Sequence, residues 1–438
     1  MHRLRQLANS ASTLKRSATW LTITGAFWAF CSNVTIIAEE LETIAASPKL
    51  GPTVLFSPTP TADEIDSWIA ELSHDEFAVR QSAANRLLAA GVAARSRLLE
   101  VAESPDPETR AAARRLVSLI DQSEFQRRLE AFAADVDGRR GLSLPGWEQY
   151  RELIGGDPAA RALFVEMQRN DASLFAAAFG SSGQRIEPLW EERLVRLISW
   201  QALSANRDKG PPLGSCAAML FLGSVGKFEI SDQAAVTLDG LIQRSPLRES
   251  LQGGTTQDVV RRIVASWIVH CPNKNEVILD RRLALASVLD LKETLPLALA
   301  VIGGDPRYAG VRPYIRATAA LLVGQFGTPD HVDQLEPLLD DAGVCSQAQL
   351  RLPGAPDRTA LTVQVRDAAL VALLQLTGQQ PADYGYLHAR LQPQRMFQLQ
   401  SLHPPSDEQR TKALAKWRAW REKQLGRESK VNAGKLEE

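Results

Sequence analysis

Catalysis needs a nucleophile, a base or a set of metal ligands brought close together. The sequence offers six histidines, His2, His74, His270, His331, His388 and His403. His270-Cys271 is the one pairing of a base with a thiol. It closes an apolar run containing Ile263, Val264, Trp267 and Ile268, where a histidine is expected to finish a helix rather than to react. A zinc site would need further Cys or His at short spacing, and Cys216 and Cys345 lie 55 and 74 residues away. His74 and His331 stand beside aspartates at helix starts, in solvated or capping positions.

Two glycine signals also fail as chemistry. Gly223-Ser224-Val225-Gly226-Lys227 suggests a phosphate loop, but the pattern needs Gly where Phe221 stands and Ser or Thr where Phe228 stands. Asp137-Gly138 suggests a calcium loop, but the alternating acids and the closing Glu are missing. No H-E-x-x-H, G-x-S-x-G or C-x-x-C run occurs. The sequence therefore assigns no catalytic residue, no cofactor and no metal ligand, and the chain reads as a protein that is not an enzyme.

Composition narrows the remaining classes. The 438 residues are 45% hydrophobic and 23% charged, enough to bury a large core. Lys+Arg 50 against Asp+Glu 51 leaves a net charge of -1, which argues against a nucleic-acid partner. Four cysteines are too few for a disulfide scaffold; one disulfide beside a free thiol remains open.

The N-terminus reads as an address. Arg3, Arg5, Lys15 and Arg16 precede the uncharged residues 20–38, and Glu39, Glu40 and Glu42 follow. A positive, then apolar, then acidic order is that of a secretory signal, here 1–38. A second reading is an uncleaved anchor giving membrane contact, since 19 uncharged residues reach across a bilayer. The expected location is accordingly the periplasm or cell envelope, or the inner membrane if the anchor stays. Residues 39–60 form a linker, with Pro48, Pro52, Pro58 and Pro60 excluding helix.

From residue 61 the hydrophobic pattern is helical and recurs. Thr61 with Glu64 starts a helix, and Ile65, Trp68, Ile69 and Leu72 fall at i, i+3, i+4, i+7. Arg80 is followed by Ala83, Ala84 and Leu87; Arg110 by Ala113 and Val117; Arg316 by Ala319, Ala320 and Val323; Arg366 by Ala369, Leu370 and Leu373. Arg261 with Val264, Ala265 and Ile268 is a fainter copy. Small residues at +3 and +4 let a neighbouring helix approach, and the residue at +7 fills the space above. A helix pair of this kind hides its apolar face only by stacking on the next.

These segments resemble HEAT-like, armadillo-type helical repeats, whose motif is an acid in the turn, then Val-Arg, then Ala-Ala and Leu. Residues 75–87 fit it well. The resemblance covers 61–121 and 297–380. It implies an all-α fold, an alpha-alpha superhelix of helix pairs. It also implies a ladder in which Asp75, Asp106, Arg80, Arg110, Arg316 and Arg366 hydrogen-bond across neighbouring turns.

The rest is less regular. Residues 122–200 read as a helical extension, with Asp157-Pro158 starting a helix. Residues 201–400 read as irregular repeats interrupted by an inserted loop at 341–359. An amphipathic helix at 405–425 caps the array, and Trp417 and Trp420 among its basic residues are candidate contacts for a partner or a membrane surface. A charged, unstructured tail is expected at 426–438. The chain is similar to exported bacterial HEAT-like proteins in its signal, spacer and degenerate array. This implies a non-catalytic scaffold for protein–protein interaction in the cell envelope, its protein partner unknown. The alternatives are an enzyme on a HEAT-like frame with an unrecognised pocket, or a structural envelope component.

Overall fold

The computed structural model describes residues 60–180, 185–200, 210–244, 246–271, 275–350 and 359–435. The signal, the anchor reading and all of the linker but Pro60 lie outside them. Among the described residues no helix is long and apolar enough to cross a membrane. Among the described residues the fold is all-α but for one two-stranded antiparallel sheet. The chain divides into two units at Leu116/Val117, within the helix Pro107–Ala134.

In the first unit, α1 (Ala62–Ala70) opens as the sequence predicts. Thr61 Oγ1 accepts from the Glu64 amide at 3.3 Å, and Glu64 Oε2 accepts from the Thr61 amide at 2.8 Å. This reciprocal box satisfies donors the helix leaves open. α2 (Phe77–Ala90) and α3 (Val92–Val101) are separated by Gly91, whose φ of 57° suits a residue without Cβ. Ala83 and Leu87, two of the repeat positions, are buried here with Ala94 and Leu98.

The second unit begins within α4 (Pro107–Ala134) and continues through α5 (Trp147–Leu153), α6 (Pro158–Phe179) and α7 (Ile186–Ile198). Asp157 caps α6 by accepting from the Ala160 amide at 3.0 Å, with Pro158 in the first turn. The aromatics Phe132, Trp147, Tyr150, Phe164, Phe175 and Phe221 pack ring to ring at centroid separations of 4.9–6.1 Å.

Next come α8 (Leu213–Ser224), α9 (Asp232–Ile242), α10 (Leu247–Gln252), α11 (Gln257–His270), α12 (Glu276–Val288), α13 (Leu295–Ile302), α14 (Pro313–Phe326) and α15 (Val332–Leu335). α8 packs on α6 and α11, and α14 packs on α12 and α13. α8 is buried from Gly214 to Ser224, consistent with a sequence that is apolar or small on every side. Its approach to α6 depends on Gly214, where a Cβ would lie 2.8 Å from the Glu166 backbone. Gly324 on α14 works the same way. A Cβ there would meet Ala372 of α16 (Val365–Leu376) at 2.9 Å. The repeat residues Ala319, Ala320, Val323, Ala369, Leu370 and Leu373 are all fully buried in this contact.

Two expectations are corrected. The stretch 341–359 is not simply a loop. It carries β1 (Val344–Leu350), which pairs antiparallel with β2 (Thr359–Gln364). The helical repeat pattern expected to resume after residue 359 consequently starts at Val365. Leu361 and Val363 are buried while Thr362 between them is half-exposed, a period of two that belongs to a strand. The tail beyond 425 is also helical. α17 runs Asp407–Lys435, carried by the good helix formers of its first half (Lys412, Ala413, Leu414, Ala415, Lys416, Arg418, Ala419) and continuing through Gly426 and Gly434.

Candidate functional site

The groups singled out for chemistry are placed in structural roles. His270 is exposed at the end of α11, and its Nδ1 lies 3.1 Å from the Ser266 carbonyl one turn back. Cys271 is buried, and its backbone carbonyl accepts from Arg282 Nη1 at 2.9 Å. Cys216, Cys271 and Cys345 are free thiols. Burial pushes Cys216 and Cys345 up to about 12, far from a reactive thiolate at neutral pH. Gly223 holds no phosphate loop. A Cβ there would strike the Trp267 ring at 2.5 Å, so the glycine makes room for an indole. That indole donates to the buried Asp239 at 2.7 Å, and Arg282 lies 4.9 Å from the same ring. Asp135 of the rejected calcium loop pairs with Arg161, whose guanidinium sits 3.5 Å from the Phe132 ring. Burial pulls that guanidinium below the ordinary arginine range.

The arginine ladder is only partly present. Arg80 Nη1 donates to the carbonyls of His74 and Asp75 at 2.7 and 2.8 Å. Arg110 Nη1 donates to those of Ser104 and Pro105 at 2.7 and 3.2 Å. Both close their own turn instead of bridging to the next. Asp106 caps its own helix by accepting from the Thr109 amide at 2.8 Å, and Asp75 takes part through its backbone carbonyl. Arg366 bonds Gln364 locally at 2.5 Å. Arg316 alone of the named set reaches a later turn, pairing with Asp341 at 2.9 Å. The fainter copy does the same: Arg261 donates to the carbonyls of Leu289, at 3.1 Å, and Asp290. The physical reason is reach. A guanidinium three residues into a helix finds its own preceding carbonyls first, unless the chain brings another turn beside it.

The reading of Trp417 as a partner contact is corrected too. Trp417 is 0% exposed and donates its indole N–H to Glu336 at 3.2 Å. Trp420 is half-buried, 5.0 Å from it. Arg418 and Arg421 pair with Asp340 and Asp333, both at 2.7 Å. The helix is therefore docked on α15 and the turn that follows it.

α17 is also locked by a buried ion pair that no spacing announced. Arg410 Nε donates to Asp367 at 2.9 and 3.2 Å, and Arg410 also donates to the Thr362 carbonyl at 2.7 Å. Asp367 further accepts from Tyr386 Oη and the Gln364 amide, each at 2.8 Å. His388 and His403, 5.4 Å apart, form a second unannounced pair. Burial, and His388 beside it, pull His403 below the ordinary histidine range. Among the described residues no group of three His, Cys, Asp or Glu side chains could hold a metal ion.

Among the hollows of the described residues, the two with the most room form a groove. Its floor is Leu241 and Ile242 at the end of α9 with Leu251 of α10. One wall is Leu197, Ile198 and Pro211; the other is Ala284, Leu285, Val288 and Leu289 of α12. Two hollows of about 480 and 600 Å³, both open to solvent, adjoin at Gln243, Arg248 and Gln252, which line each of them. The rims carry Ile198 at 43% and Val288 at 62% exposure, and Val195 one turn before Ile198 is 61% exposed. Arg244 and Arg248 are exposed beside the floor, and Arg281 is half-buried on α12. Among the described residues none of these three guanidiniums takes part in a salt bridge, and Glu249 is the one acid lining the groove.

Sequence reasoning missed this groove because its residues come from four helices with no common spacing. The available signal was Val195 on the polar side of the amphipathic α7; Val288 sits on α12, whose apolar residues are spread around the helix and mark no side. No known protein family, curated protein or solved structure matches the chain.

Proposed function

We propose that this chain is a non-catalytic helical-repeat scaffold of the cell envelope that holds a protein partner in the groove between α7 and α12. The observation carrying the reading is the exposed apolar rim of Ile198 and Val288 above a buried apolar floor. Apolar area left open around a concavity is what a partner covers. The resemblance to HEAT-like repeats supports the same reading, since stacked helix pairs offer extended binding surfaces. So does the placement of the buried Asp239, Asp367 and Arg410 in helix-to-helix contacts. Export rests on the charge order of residues 1–42.

The test is a pull-down from envelope fractions with the secreted form, comparing the wild type with an I198E/V288E variant. A stoichiometric partner retained by the wild type and lost from the variant supports the reading. A partner retained equally by both refutes the groove, and turnover of a substrate without any partner refutes the scaffold.

A further inference from the structure

The chemistry of the groove specifies its occupant. We infer that the groove binds an acidic peptide segment of a partner protein, one that places carboxylates against Arg244, Arg248 and Arg281 and apolar side chains on the Leu241–Ile242–Leu251 floor. This rests on the docking reading above and deepens it. None of the three guanidiniums around the hollows makes a salt bridge among the described residues; Glu249 is the one acid lining the hollows, and Arg281 also feels the buried Asp239, which leaves Arg244 and Arg248 the freest cations. The whole chain carries a net charge of -1, so this is a local excess of positive charge. Guanidinium forks match carboxylates bidentately.

Other anionic occupants fit less well. A membrane surface would engage the protruding rim residues Ile198 and Val288 but would leave the hollows between them, lined by the buried Leu241, Ile242 and Leu251, unfilled. A single-stranded nucleic acid would need aromatic platforms, and every apolar residue lining the groove is aliphatic. A small molecule would call for an enclosed site, and this one opens along its length.

The rims add geometry. Arg281, Ala284 and Val288 lie on one outward side of α12, at the i, i+3, i+7 positions of a single helix face. A segment lying along that face meets a cation at one end and an apolar contact at the other. The occupant should therefore carry an acid and an apolar residue in close alternation.

The experiment is fluorescence anisotropy on the intact protein with three labelled 14-residue probes: glutamate with leucine, lysine with leucine, and glutamine with leucine. Hydrogen exchange over residues 241–252 and 281–289 locates the binding. The Glu/Leu probe should bind most tightly, protect both segments and weaken as salt rises. R244E/R248E alters exposed side chains only and should weaken the Glu/Leu probe about tenfold or more, with the helical circular dichroism unchanged. Equal or tighter binding of the Lys/Leu or Gln/Leu probe in the groove, lost in V288D but not in R244E/R248E, would overturn the acidic occupant while leaving the docking groove standing. Failure of all three probes to protect the groove overturns both. Groove-dependent binding to phosphatidylglycerol vesicles, without peptide binding, overturns the inference in favour of a lipid surface.

Discussion

Arg410→Met should undock the C-terminal helix. Arg410 is 3% exposed and faces a carboxylate, Asp367, that is 0% exposed. The substitution removes both Arg410 bonds to Asp367 and the one to the Thr362 carbonyl, while Tyr386 and the Gln364 amide stay in place. Removing one member of a buried ion pair costs about 3–5 kcal/mol, most of it from the charge left behind. The two surviving donors place this case near the lower end, at about 3 kcal/mol, or roughly a hundredfold in an opening equilibrium.

Because the chain has two units, a single unfolding midpoint is the wrong readout. Hydrogen exchange resolved to α16 and α17 reports the opening directly. Exchange in both helices should rise about a hundredfold in R410M, with α6 and α8 unaffected. Asp367→Asn in the same background removes the orphaned charge and should recover at least a factor of ten. If R410M changes exchange by less than about threefold, or the double variant is no better than R410M, the pair does not hold α17 and the reasoning fails.

Other expectations follow from single contacts. Gly324→Ala gains helix propensity of about 1 kcal/mol but drives a methyl to 2.9 Å from Ala372. Hydrogen exchange resolved to α14 and α16 should show a net loss of about 1 kcal/mol as the two helices separate, and equal or slower exchange would mean they adjust freely. Trp417→Ala should cost about 3–5 kcal/mol and expose α17 to proteolysis, whereas Trp420→Ala should cost far less; equal costs would contradict the burial difference. His403 is held below the ordinary histidine range, so the unfolded chain binds its proton more readily than the folded one. Its contribution is present above pH ~6.5 and is lost as pH falls from there through the depressed folded value. Protection of residues 386–403 from hydrogen exchange, corrected for the intrinsic rate and followed from pH 7.5 to 5, should therefore fall more steeply in the wild type than in His403→Leu.

Much of the helical fold can be read from local residues. Thr61 with Glu64, and Asp157 with Pro158, start helices where the capping rules put them. The Ala, Ala and Leu positions after Arg316 and Arg366 are buried as their spacing demands. The two-stranded sheet was hidden because Thr359–Gln364 is short and joins α16 without a break, so an apolar strand read as the first turn of a helix. The clamp of Asp367, Tyr386 and Arg410 spans 43 residues between its charged ends, and no local pattern records such a separation. The ladder was misplaced for a related reason. The motif fixes where each arginine starts, but which carbonyl it reaches depends on the neighbouring turn. The groove lay beyond sequence reasoning altogether, since Arg244, Arg248 and Arg281 become neighbours only through packing.

The division among the arginines has a mechanical consequence. Arg80 and Arg110 each staple a single turn to itself, and the arginine pairs that do join helices in that stretch, Arg97 with Asp66 and Arg86 with Glu71, are largely solvent-exposed and hold weakly, so a helix there can come loose with little disturbance to the next. Arg261 and Arg316 instead grip carbonyl or carboxylate oxygens 25–29 residues further on, and each such grip makes two turns release together. Pulled from its C-terminal end, the chain should therefore yield in large cooperative steps between about 260 and 376, and in smaller, nearly independent ones before residue 116.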